Sequence, residues 1–219
     1  GGKSTLMRTA CLAAVLAQVG CDVPAEACEL TPADRVFVRM GANDSLVGGE
    51  STFMVELSEA SAVLRRATKS SLVALDELGR GTSTADGAAI AGAVLQYLAE
   101  RSSCRTLFST HYHMLSTSNE GASGVALGHM SAAIETDENG DEQVTFLYTL
   151  APGACPKSYG VNVARLAGLP ESVLAVAKQA SRRFEAARGR TGKGAAIAAA
   201  RNASRVVRTE GGADATAIR

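Results

Sequence analysis

Hydrophobic positions along this 219-residue chain follow two rhythms, helical spacing and short unbroken runs, separated by breaks rich in Gly, Ser, Thr and Pro. From Ser4 to about Val19, Leu6, Ala10, Ala13, Ala14 and Ala17 recur at helical spacing, and Gly20 ends that helix. Arg35–Met40 (RVFVRM) reads as a short strand, followed by a glycine-punctuated loop over Gly41–Glu50. In STFMVELSEASAVLRRA, Phe53, Leu57, Ala60 and Leu64 mark one helical face, with Glu56, Glu59, Arg65 and Arg66 largely off it. Ser51 stands at the N-cap position of that helix. The apolar run Leu72–Leu75 predicts a buried parallel strand, and Cys104–Ser109 predicts another, with a helix over Gly87–Arg101 between them. Ala126–Glu135 and Gln143–Leu150 flank DENGD, whose Asn139-Gly140 is a turn signal, so they predict an antiparallel hairpin at the sheet edge. After a loop over Ala151–Gly160, two short helical patterns in Val161–Ala187 meet at Gly168-Leu169-Pro170-Glu171, a helix-turn-helix shape. Strands alternating with helices place the chain in the α/β class.

Candidate chemistry gathers at the end of the Leu72–Leu75 strand, in SLVALDELGRGTSTAD. Ligands of open α/β sheets sit beyond the carboxyl ends of strands, so Asp76 and Glu77 emerge at the ligand edge. A magnesium nucleotide suits them: one acid holds the metal's water shell while the other orients an attacking water. A solvated acidic turn is the other reading of this segment alone. The start of the chain favours the nucleotide, because Gly1-Gly2-Lys3-Ser4-Thr5 matches the second half of a phosphate-binding loop, G-x-x-x-x-G-K-[ST]. In that loop Gly2 admits the phosphates to the backbone, Lys3 reaches the outer phosphates, and Ser4 offers a hydroxyl to magnesium. The front half of the loop and its preceding strand are missing, which reads as a piece of a longer protein. Ser51 opens a second helix beside glycines, either a plain cap or an anion site shared between two subunits. His111 and His113 follow the Cys104–Ser109 strand; His111 is placed to sense a γ-phosphate, while a structural role is the alternative.

Composition narrows the classes. A net charge of zero gives no overall field favouring nucleic acid or membrane. No apolar run approaches a membrane span, and the five cysteines lack C-x-x-C pairing, so they read as scattered thiols. With no Trp and few other aromatics, a stacking surface for single strands is disfavoured. The leading helix of the helix-turn-helix is apolar (Val161, Val163, Leu166), pointing to a protein interface over DNA. From Gly189 onward Arg190, Lys193, Arg201, Arg205 and Arg208 make a basic tail, expected to be disordered, with weak phosphate contact as an option.

Together the blocks GGKSTLMR, GESTFMVELSE, LDELGRGTST, FSTHYHML and KSYGVNVARLAGLP resemble the carboxy-terminal ATPase domain of the MutS mismatch-repair family, over Gly1 to about Arg188. TPADRVFVRMGANDSLVGGESTF and GACPKSYG are more similar to the eukaryotic MutS homologue six subunits than to the bacterial homodimer. The resemblance implies an α/β fold, a P-loop NTPase (ABC-type ATPase) sheet flanked by helices, with a C-terminal helix-turn-helix dimerisation element. It implies an ATPase domain over 1–150, the dimerisation element over 151–188 and the tail over 189–219. Gly1, Gly2, Lys3, Ser4 and Thr5 would then hold ATP, with Ser4 and Asp76 at Mg2+, Glu77 polarising water and His111 as the switch histidine. Ser51 would approach the ATP bound by the partner, and Gly79–Thr84 would line the interface. The implied partner is the MutS homologue two subunit, in a nuclear heterodimer that recognises mismatched double-stranded DNA. The mismatch-binding, connector, lever and clamp regions have no counterpart in these residues, so mismatch recognition is expected to lie elsewhere. A transporter-type ABC ATPase is disfavoured, since GGEST stands where an LSGGQ-like signature would precede the Asp-Glu strand. A catalytically silent dimerisation fragment is the rival from another class.

Overall fold

The computed structural model describes residues 2–41, 51–136 and 142–184, in two compact units, Gly1–Ala126 and Leu127–Arg219. The DENGD turn, most of the Gly41–Glu50 loop, Gly1 and the basic tail lie outside the described residues.

In the first unit, β1 (Val36–Arg39), β2 (Leu72–Asp76) and β3 (Arg105–Ser109) form a parallel sheet in the order β1-β2-β3. Its central strand is the predicted one, and Val73, Ala74 and Leu75 are fully buried. Because side chains alternate along a strand, Val73 and Leu75 face one layer and Ala74 the other. The first layer holds Ala60 and Val63 of α2 (Thr52–Arg66) with Val94 of α3 (Thr84–Tyr97), and the second holds Met7 and Cys11 of α1 (Lys3–Gln18). Burial on both faces is what a near-continuous apolar strand requires.

Three predicted elements shift. In α1 the buried stripe is Met7, Cys11 and Ala14, whereas Leu6 and Ala10 are exposed. Positions 4, 7, 11 and 14 share one helical face, so packing Met7 beside Ala74 also turns Ser4 toward the sheet. Helix α3 begins at Thr84 instead of Gly87, because the Ser83 hydroxyl caps it by accepting from the Asp86 N–H at 3.2 Å. It ends at Tyr97 and continues as a π-helical turn, Leu98–Ser102. In α2 the buried residues are Glu56, Ala60 and Val63, so Glu56 belongs to the packed face it was read as leaving.

In the second unit, β4 (Gly128–Thr136) and β5 (Glu142–Pro152) pair antiparallel, as the hairpin reading predicts. They form a separate two-stranded sheet, not an extension of the parallel one, which corrects the expected edge position. The hydrogen-bonding edge of a strand is the same backbone everywhere, so the pattern finds a hairpin without saying what it joins. Strand β5 also runs two residues into the predicted Ala151–Gly160 loop. Beyond it, α5 (Gly160–Leu166) ends at Gly168, whose φ of 79° is a left-handed stop, and residues 171–184 are helical. Arg165 Nε meets Glu171 Oε1 at 2.8 Å across the turn, and Leu174 is buried. Lys157 Nζ holds Glu142 Oε2 at 2.8 Å.

One polar knot ties the first unit below the sheet. Asp34 accepts from the Thr68 hydroxyl at 2.7 Å and from the buried Ser71 hydroxyl at 2.8 Å. The Thr68 bond, then the Ser71 bond, holds the Asp34 carboxyl below the ordinary aspartate range. A depressed folded value stabilises above the unfolded value and is lost as pH falls through the folded one. Asp34→Asn is therefore expected to lower the unfolding temperature at pH 7, with the gap to the unsubstituted chain closing in strong acid. A gap that stays constant across that titration would exclude this linkage.

Candidate functional site

The carboxyl ends of β2 and β3 and the first turn of α1 converge on one carboxylate. Ser4 Oγ donates to Asp76 Oδ2 at 2.5 Å, joining residues 72 positions apart in the chain. Asp76 Oδ1 accepts from the Ser109 hydroxyl. The parallel register pairs Asp76 with Ser109, which is why that hydroxyl arrives there. Two hydroxyl donors satisfy a half-buried carboxylate that would otherwise be costly to desolvate. Gly2 caps α1 in the left-handed region, φ 90°, and lays no side chain of its own over the helix's first amides. Lys3 and Thr5 are exposed in that same turn.

Glu77 adopts φ 54°, unusual for a residue bearing a Cβ, and its N–H donates to the Ser109 carbonyl at 3.1 Å. Its Oε2 lies 3.2 Å from Arg80 Nη1, in an ion pair whose arginine is largely exposed. Two residues on, the Gly79 N–H donates to Glu56 Oε1, and the Gly79 carbonyl accepts from the Tyr112 hydroxyl at 2.7 Å. Arg39, the last residue of β1, stands 4.0 Å from Glu56 Oε2 and 2.8 Å from Glu59 Oε2. Burial, then the nearby Glu56 and Glu77 carboxylates, pushes the Tyr112 phenol above its ordinary value.

Of the residues singled out from sequence, Ser4, Asp76 and Glu77 come together at this edge, with Gly2, Lys3 and Thr5 in the adjoining turn; Gly1 is not described. Ser51 caps α2, accepting from the Met54 N–H at 3.2 Å, and is exposed. It is not brought into the Ser4–Asp76–Ser109 group. His111 is exposed just past β3, its ring 4.1 Å from that of Tyr112. Among the described residues no group of three or more His, Cys, Asp or Glu gathers to hold a metal. Magnesium needs no such cage, since it binds through one or two protein oxygens with phosphates and water, and the adjoining Ser4 and Asp76 oxygens could serve as two of them.

Sequence reasoning missed Ser109, Glu56 and Tyr112. For Ser109 the signal was its place at the end of the second buried strand. For Glu56 a clue existed in its spacing of four from the buried Ala60.

A family model described as MutS domain V matches residues 1–185. The chain is 57% identical over 190 residues to the DNA mismatch repair protein MSH6 of Arabidopsis thaliana, covering 87% of this chain and 14% of that protein. It is 58% identical over 187 residues to the DNA mismatch repair protein Msh6 of Homo sapiens, covering 84% and 14%. Against the DNA mismatch repair protein MutS of Treponema pallidum subsp. pallidum, identity is 48% over 210 residues, covering 95% and 22%. The chain thus spans less than a quarter of the length of these relatives. With a match to domain V over all its described residues and such identity to MSH6 and MutS proteins, this chain belongs to the MutS family.

Proposed function

We propose that this chain is a magnesium-dependent ATPase domain of the P-loop, ABC-related type, acting in DNA mismatch repair. The observation that carries the reading is the Ser4 hydroxyl on the Asp76 carboxylate, which joins the phosphate-loop motif to the acidic strand end. Lys3 and the first-turn amides of α1 supply positive charge for the phosphates. Ser4 and Asp76 would hold Mg2+, which neutralises charge developing on the phosphates. Ser109 keeps Asp76 aimed at the Ser4 hydroxyl. Glu77 orients the water that attacks, and His111, exposed in the loop just past β3, senses the outer phosphate.

On this reading a second subunit completes the site, with Ser51 approaching the ATP that the partner binds and the Gly79–Thr84 turn lining the interface. Support for dimerisation comes from α5 and residues 171–184, where Val163, Leu166, Leu169, Val173, Val176 and Phe184 are exposed. On this reading they form the helix-turn-helix dimerisation element, the partner is a MutS homologue two subunit, and the pair works in the nucleus. ATP binding and hydrolysis change how the pair closes as a clamp on mismatched DNA, which other regions of the protein contact. The same exposed residues favour the second reading, a catalytically silent dimerisation fragment.

Titration calorimetry with magnesium–ATP separates the two. The unsubstituted chain is expected to bind, and Ser109→Ala to weaken magnesium-dependent affinity about 10–100-fold, as loss of a ligand's hydrogen-bonded support does. Asp76→Asn is expected to weaken it further. Equal affinity in all three would remove this edge from nucleotide binding, and co-purification with a partner despite no nucleotide binding would support the silent fragment.

A further inference from the structure

Two buried polar side chains have no part in the proposed chemistry. Glu56 is 8% and Tyr112 5% exposed, and both end on the backbone of one residue, Gly79, the two peptides that flank its Cα. Glu56 accepts from the Gly79 N–H on the α2 side, and the Tyr112 hydroxyl donates to the Gly79 carbonyl from the segment after β3. Gly87 of α3 closes the third side: a Cβ added to Gly79 would sit 2.8 Å from the Gly87 Cα. Leu78, between Gly79 and Glu77, is also fully enclosed. Glu77 is thereby pinned on both flanks, by the Ser109 carbonyl on its own N–H and by the held backbone of Gly79 two residues on. That accounts for a left-handed conformation which a residue with a Cβ holds only when its surroundings over-determine it.

We propose that Glu56 and Tyr112 are positioning residues that set the direction of the Glu77 carboxylate through the Gly79 backbone, each holding one of its two flanking peptides. Because Glu56 belongs to the helix that Ser51 opens, it ties the partner-facing end of α2 to the same subunit's water-orienting acid. The inference rests on the ATPase reading above. A carboxylate serves here better than an apolar side chain because the buried Gly79 N–H requires an acceptor and Arg39 stands 4.0 Å behind it.

The test is made in the full chain with Tyr112→Phe, which removes one oxygen, and Glu56→Met, which keeps volume but removes the acceptor. Both are expected to lower kcat for ATP about 10–100-fold, the scale on which small misplacements of catalytic groups are felt. KM is expected to stay within about twofold, since the ground-state contacts are untouched. Glu56→Gln keeps an oxygen for the Gly79 N–H and is expected to recover most of the rate. In the nucleotide-free chain, amide exchange at Glu77 and Gly79 is expected to quicken in both variants while α1 keeps its protection. Unchanged kcat, or kcat and KM moving together with a fall in thermal stability, would overturn the proposal. If the unsubstituted chain turns over no ATP, the ATPase reading fails by itself, and exchange decides whether Glu56 and Tyr112 hold this turn: unchanged rates at Glu77 and Gly79 refute it, faster ones uphold it. Should Glu56→Met not fold, Tyr112→Phe carries the test alone.

Discussion

Glu77→Gln is expected to reduce ATP turnover by about 10²–10⁴-fold, the range spanned by loss of a positioned acid–base group. Magnesium–ATP binding is expected to survive. The reason is a division of labour visible at the strand end. Asp76 is occupied by two hydroxyl groups, Ser4 and Ser109, whereas Glu77 turns away through its left-handed backbone toward exposed Arg80. Glutamine keeps the length and one oxygen of the side chain, so the Arg80 partner is not lost outright and the fold has little cause to change. What it lacks is the negative charge that polarises water and accepts its proton. Single-turnover measurements with calorimetry in parallel separate the two functions. Full turnover in the variant would remove Glu77 from the mechanism, and loss of binding together with turnover would place it among the groups that hold the nucleotide.

Gly87→Ala is expected to be the most damaging of the small substitutions, costing about 2 kcal/mol or more of stability. Helix propensity argues the other way, since alanine in a helix interior is favoured over glycine by about 1 kcal/mol. The close approach wins. A Cβ at Gly87 would overlap the Gly79 carbonyl oxygen and the Tyr112 hydroxyl, and moving either breaks their hydrogen bond. Overpacking of a tight interior costs about 1–3 kcal/mol, and a lost buried hydrogen bond about 1 kcal/mol more. Gly92, in the same helix, is the control: its added Cβ would meet only the end of the flexible Leu115 side chain, at 3.0 Å. Urea unfolding should find Gly92→Ala near the unsubstituted chain and Gly87→Ala well below it. Similar midpoints for the two would mean that α3 does not press on the Gly79 turn as described.

Much of this arrangement was legible because it is local. A run of apolar residues ending in Asp76 and Glu77 can satisfy its backbone and hide its side chains only as an inner strand, and Val73, Ala74 and Leu75 are fully buried as that requires. Ser51 announces a helix start by a hydroxyl three residues before the amide it accepts from, and the structure puts it there. The helix, strand and hairpin positions follow from spacing of 3.6 or 2 within windows of about a dozen residues. The phosphate-loop motif and the acidic strand end could be named from types and order alone.

What sequence order could not supply was the meeting of residues distant in the chain. Ser109 reaches Asp76 because β3 lies beside β2 in one register, and a slip of one residue would turn that hydroxyl to the opposite face. Helix α1 has two candidate apolar stripes one step apart, and the choice of Met7–Cys11–Ala14 over Leu6–Ala10 is made by the sheet it lands on. Glu56 reads as a solvent-facing charge until the Gly79 N–H and Arg39 are seen to wait on its side of the helix. The hairpin's pairing was written in its sequence, but its separation from the parallel sheet was not. Local periodicity decides which segments form and which face is apolar, because those energies arise among near neighbours; partners for a buried charge or an open strand edge come from elsewhere in the chain, so only the tertiary structure could choose them.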